Sequence, residues 1–124
     1  MTNNPPLVSV VDDDESVRES LPDLLTAFGF TAQTFSSAEK FLASETIGQT
    51  RCLILDIAMP GMTGLDLQRE LKIRGHKIPI IFITAQKDEA VYARAFQQGA
   101  AEFLLKPFND TALFEAVNIA LGVS

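Results

Sequence analysis

The residues able to do chemistry lie far apart in this chain: Asp12-Asp13-Asp14 near its start, Asp56 midway, then Thr84 and Lys106. Each stands directly after a short apolar run, at Leu7–Val11, Cys52–Leu55, Ile78–Ile83 and Phe103–Leu105. Taken singly, each has an ordinary reading. An Asp run after a strand is common loop composition, Asp14 suits the cap of a following helix, and Lys-Pro is a plain turn dipeptide. At equivalent positions after four neighbouring strands, they gather three carboxylates, a hydroxyl and an ammonium on one rim. Carboxylates so crowded repel, and one must hold a proton unless a cation joins them. A few hard oxygen ligands with room for water suit Mg²⁺, or Mn²⁺, better than zinc. Zinc is further disfavoured by a single histidine, His76, and a single cysteine, Cys52. A carboxylate beside a dication and a lysine is placed to attack phosphorus while the cations neutralise the equatorial oxygens. Asp56 is the best nucleophile, because Asp12 and Asp13 share the opposite wall.

The elements that must position these groups alternate between two periods. After the first apolar run, Val17, Leu21, Leu24, Leu25 and Phe28 recur at helical spacing up to Gly29. Residues 30–35 read as a half-polar strand, and Ser36 as the N-cap of a helix carrying Ala38, Phe41 and Leu42. The loop Met59–Gly64 leads into a helix through Leu67 and Leu71 that ends near Gly75. Pro79 belongs at the beginning of the fourth strand, where a missing N–H is tolerable. A fourth helix over Lys87–Gln98 closes at Gly99, and Leu113, Phe114, Val117, Ala120 and Leu121 define a fifth. Pro22, inside the first helix, predicts a kink or a loosened turn near Arg18.

Five βα units with strands apolar on both faces predict a doubly wound parallel sheet. The half-polar second strand suits an edge, giving the flavodoxin-like order 2-1-3-4-5. Ligands then bind where the order reverses, between strands one and three, beside Asp12, Asp13 and Asp56.

Composition sets the outer bounds. The chain has 124 residues, 47% hydrophobic and 21% charged, which suits one globular domain. We expect residues 1–6 to form a flexible tail and residues 7–122 the domain. No apolar run approaches the roughly 18 residues that a membrane span needs. A lone cysteine and the lack of a signal-like N-terminus make the cytoplasm the expected compartment. A net charge of −6 disfavours nonspecific nucleic-acid binding by this domain.

These motifs resemble the receiver domain of two-component response regulators, over essentially residues 7–121. Val10-Val11-Asp12-Asp13-Asp14, Leu55-Asp56-Ile57-Ala58-Met59-Pro60-Gly61-Met62-Thr63-Gly64, Ile83-Thr84-Ala85 and Lys106-Pro107-Phe108 carry the likeness in order. The second and last segments look similar to the FixJ-like branch, many of whose members regulate transcription. The resemblance implies that Asp56 accepts a phosphoryl group from a histidine kinase's phosphohistidine or from a small donor such as acetyl phosphate. It implies that Asp13, Asp56 and the Ala58 carbonyl ligate Mg²⁺, with Asp12 acting largely through water. Lys106 would pair with phosphoryl oxygens, Thr84 and Phe103 would form the switch, and Lys106-Pro107 would be a cis peptide. A homodimer through helix 4, strand 5 and helix 5 is expected by the same analogy. Any DNA contact would come through an output domain outside these residues, and both a stand-alone and a truncated receiver remain open. Ala58 and Gln86, at positions where receivers vary, offer no charge to orient attacking water, so we expect slow self-dephosphorylation. The runner-up is an aspartyl-phosphate hydrolase using Asp12-x-Asp14, for which no cap domain fits this length. An FMN carrier is weaker still, since an acidic first loop repels phosphate.

Overall fold

In the computed structural model, residues 5–122 are described; residues 1–4 of the expected tail lie outside them. Five parallel strands form one sheet: β1 (Leu7–Val11), β2 (Thr31–Phe35), β3 (Thr50–Asp56), β4 (Ile80–Thr84) and β5 (Glu102–Leu105). Their order is β2-β1-β3-β4-β5, with the half-polar β2 on the edge. The helices are α1 (Glu15–Ala27), α2 (Ala38–Leu42), α3 (Gly64–Ile73), α4 (Glu89–Gln97) and α5 (Asp110–Leu121). A short 3₁₀ turn, Ile47–Gln49, precedes β3.

Alternation along the central strands divides the core in two. Leu53 and Leu55 of β3 and Phe82 of β4 pack with Phe41 of α2, Leu67 and Leu71 of α3 and Ala95 of α4. Cys52, Ile54, Ile81 and Ile83 face the other way, toward Leu21 and Leu25 of α1 and Leu113 and Val117 of α5. The Cys52 thiol is fully buried, and that burial pushes its pKa up to about 12, which leaves it inert.

Local signals explain most of the boundaries. Asp14, Thr63, Asp88 and Asn109 cap their helices through side-chain oxygens. The second cap is Ser37 rather than Ser36: its hydroxyl accepts from Lys40 N–H, and the helix starts at Ala38. Two adjacent serines offer the same chemistry, and the cap falls on Ser37, whose backbone is extended. Pro22 does not break α1, which runs helical from Glu15 to Ala27. Pro79 sits just before β4, where its carbonyl accepts from Leu53 N–H at 2.9 Å.

Gly64 opens α3 against the end of β3. Its N–H donates to the Ile57 carbonyl at 3.0 Å, and a Cβ there would collide with the Asp56 carbonyl and Ile57 Cα. The loop after Asp56 can close this tightly only around a residue without a side chain. Gly64→Ala is therefore expected to cost about 1–3 kcal/mol in urea denaturation. Gly48→Ala, where an added Cβ meets nothing within 4 Å, should be near neutral. Equal stabilities for the two variants would contradict this packing.

Candidate functional site

The reversal of strand order sets the carboxyl ends of β1 and β3 side by side. There Asp12, Asp13 and Asp56 each place a carboxylate oxygen within 4.8 Å of the others. Asp12 is fully buried, Asp56 nearly so, and Asp13 faces solvent. Asp12 continues the line of β1, its N–H donating to the Phe35 carbonyl of β2 at 3.1 Å. Its side chain is held from two sides: Oδ1 accepts from Asp14 N–H at 2.9 Å and Oδ2 from Lys106 Nζ at 2.9 Å. Lys106, just past β5, also lies 3.8 Å from Asp56 Oδ1. The Lys106-Pro107 peptide is cis.

The electrostatics follow from this crowding. Burial, and then the charge of Asp12, push the Asp56 carboxyl from the ordinary 3.8 up to about 7; Asp13 adds to the rise and Lys106 opposes it. Burial would depress Lys106, but the hydrogen bond and charge of Asp12, with the charge of Asp56, outweigh it and raise its pKa. The ammonium stays protonated and neutralises roughly one of three clustered negative charges.

Asp14 does different work. Its Oδ1 accepts from Ser16 N–H and Ser16 Oγ at 2.9 and 2.8 Å, and those bonds lower its pKa. It is spent on capping α1, which removes the Asp12-x-Asp14 pair that the hydrolase alternative needs. Thr84 stands at the end of β4 on the same rim, with its Oγ1 accepting from Gln86 N–H at 3.2 Å and its carbonyl from Lys106 N–H at 2.7 Å. Phe103 lies half-buried between Phe82 of β4 and Tyr92 of α4, at centroid distances of 5.7 and 3.8 Å. Ala58 is exposed in the loop after Asp56.

Arg18 had no signal in the sequence beyond its place on an amphipathic helix. Its Nη1 donates to the Asp12 carbonyl at 2.9 Å, fixing the loop that carries both Asp12 and Asp13. His76, by contrast, is a half-buried backbone element at the end of α3, its N–H donating to the Leu71 carbonyl at 2.9 Å.

The donor set suits a hard dication: three carboxylate oxygens converge beside a single ammonium. Because the folded state holds the Asp56 proton more tightly than the unfolded chain, ionising Asp56 costs stability. That cost appears as pH rises above about 4 and is complete above about 7. In metal-free buffer at pH 8, Asp56→Asn should therefore stabilise the fold by about 1–2 kcal/mol, allowing for solvent screening at the rim. The gain should vanish at pH 4 and shrink in millimolar Mg²⁺; denaturant melts at both pH values check it, and a variant no more stable at pH 8 would contradict it.

Comparison with known proteins agrees with this geometry. The response regulator receiver domain family matches residues 8–118. The transcriptional regulatory protein TdiR of Thauera aromatica is 42% identical over 99% of this chain and 54% of its own length. The transcriptional regulatory protein FixJ of Azorhizobium caulinodans is 41% identical over 94% of this chain and 56% of its own. The solved structure of response regulator StyR superposes with a TM-score of 0.87 at 46% identity, covering 95% of this chain and 60% of that one. The chain thus spans about half the length of the curated relatives it matches. Five strands in the order 2-1-3-4-5, an acidic cluster where that order reverses, and likeness along nearly the whole chain establish that it belongs to the response regulator receiver domain family of two-component systems.

Proposed function

We propose that this domain is a phosphorylation-activated switch in which Asp56 accepts a phosphoryl group from a histidine kinase's phosphohistidine or from a small donor such as acetyl phosphate. The observation that carries the reading is the convergence of Asp12, Asp13 and Asp56 beside Lys106 at the strand-order reversal. Mg²⁺, or Mn²⁺, would be held by Asp13 and Asp56 with the Ala58 carbonyl, and by Asp12 largely through water. Bound there, the cation supplies charge neutralisation for the anionic donor and its equatorial oxygens.

The chain's own groups do the rest. The buried Asp56 carboxylate, at the end of a rigid central strand, is aimed outward and attacks phosphorus in line with the leaving group. Lys106 already bridges Asp12 and Asp56, so its ammonium has only a short distance to travel to the new phosphoryl oxygens. The Thr84 hydroxyl gives up the Gln86 N–H and donates to the phosphoryl group. Its inward turn frees space that Phe103 fills, changing the surface of α4, β5 and α5. Phe96, Leu105 and Ile119 expose apolar area on those three elements, which supports a phosphorylation-dependent homodimer there. The likeness to transcriptional regulators supports a role as the regulatory half of such a protein, with DNA bound by another domain. Among the described residues no helix is long and apolar enough to cross a membrane, which accords with work in the cytoplasm.

Incubation with acetyl phosphate and Mg²⁺, followed by intact-mass spectrometry, tests the acceptor. One phosphoryl group should be gained by the native chain and none by Asp56→Asn or in the presence of a chelator. Lys106→Ala should slow the gain by about 100-fold, the loss typical of removing one preorganised charge partner. An adduct that persists in Asp56→Asn, or none on the native chain, would overturn the reading.

A further inference from the structure

Among the helices, α4 is the one with the thinnest hold on the core. Its buried set is a single residue, Ala95, against five in α3 and three in α5. Tyr92 is half-buried and Phe96 exposed, both lying against Phe103 rather than beneath it. Gln68 of α3, 4% exposed, reaches this one buried point: its Nε2–H donates to the Ala95 carbonyl at 3.1 Å. That carbonyl also accepts from Ala100 N–H at 3.0 Å, while Gly99 N–H bonds to Phe96 O at 3.0 Å. The two backbone bonds are the paired closure that ends a helix at a left-handed glycine. Gln68 therefore grips α4 at its C-terminal closure, directly before the chain enters β5. At the other end, the cap at Asp88 is exposed and follows the loop from Thr84.

A glutamine is a costly choice for this task. Its Oε1 is buried and lacks a hydrogen-bond partner among the described residues. Its helix neighbours Leu67 and Leu71 are core residues, and on its other side Gln68 lines a cavity with Lys72 and Lys77; a leucine or methionine would satisfy the core side without an orphaned carbonyl. What an apolar residue could not do is hold the α4 carbonyl in one place.

We propose that Gln68 is a positioning residue that fixes the pivot of α4, so that rearrangement at the Thr84 end swings the helix about Ala95 instead of letting it slide along the sheet. This inference rests on the Thr84–Phe103 switching read above. It assigns Gln68 no contact with the phosphoryl group. The hydrogen bond converts a small displacement at the rim into a rotation that moves Tyr92 across Phe103 while Phe96, next to the pivot, stays in place.

Gln68→Met keeps the volume and removes both the grip and the orphaned acceptor, and Gln68→Leu repeats the change with a different shape. Hydrogen exchange followed by NMR on the unliganded proteins is the first readout. Amides of α4 and that of Ala100 should exchange roughly five- to tenfold faster in both variants, with α3 and β4 unchanged, as the loss of one buried hydrogen bond implies. The second readout is the pattern of shifts on adding beryllofluoride with Mg²⁺, a stand-in for the phosphoryl group. In the native chain the α4 shifts should diminish from Asp88 toward Ala95; in the variants they should extend through Ala100. Unchanged α4 exchange and an unchanged shift pattern in both variants would overturn the pivot. If beryllofluoride perturbs neither native chain nor variants, the phosphoryl reading fails instead, and the exchange comparison still decides whether Gln68 holds α4.

Discussion

Burying carboxylates side by side is the constraint around which this domain is arranged. Asp12, Asp13 and Asp56 converge within 4.8 Å, and the single ammonium among them cannot balance all three. A parallel sheet is what makes the crowding possible. Side-by-side strands point their carboxyl ends the same way, and the order reverses between β1 and β3, where such sheets open a crevice. Lys106 spans the crevice from β5 and pairs most closely with Asp12, the more deeply buried carboxylate. Asp56 is left with the weaker contact and a pKa raised to about 7. The donor set suits a hard dication.

Such a site needs a frame that does not yield. The central strands β1, β3 and β4 are apolar on both faces and almost wholly buried, with α1 and α5 on one side and α2, α3 and α4 on the other. Two devices hold the loops in register with that frame. Arg18 pins the Asp12 carbonyl, and Gly64 lets α3 start against the Asp56 backbone. The exception is α4, which buries one residue and is gripped at one end. Few buried contacts in α4 beside a well-buried frame is a distribution that favours local opening there.

The fold and the acidic cluster were legible in the sequence because both are written in short-range patterns. Strand-length apolar runs alternate with helical spacing, and each reactive side chain lies at the carboxyl end of its strand or within two residues of it. The edge position of β2 was legible from its polar face. Elsewhere the pattern was silent or misleading. Two serines offer one cap, and it is the Ser37 hydroxyl that accepts from Lys40 N–H. Pro22 signalled a kink or a loosened turn near Arg18; α1 runs helical from Glu15 to Ala27, with Leu21 and Leu25 buried. Arg18 and Gln68 act through contacts with backbone carbonyls, which leave no trace in side-chain periodicity. The pairing of Lys106 with Asp12 depends on how far each group is buried, which spacing does not encode.

The central claim is that burial, and then the charge of Asp12, hold the Asp56 carboxyl in an abnormal state that a divalent cation relieves. Carbon-detected NMR titration of the Asp56 carboxyl, with and without Mg²⁺, measures this directly. The account predicts an apparent pKa near 7 in metal-free buffer, coupled to its neighbours, that falls by at least about two units when Mg²⁺ is added. An ordinary value near 4 that Mg²⁺ leaves unmoved would mean that the three carboxylates do not act as one site.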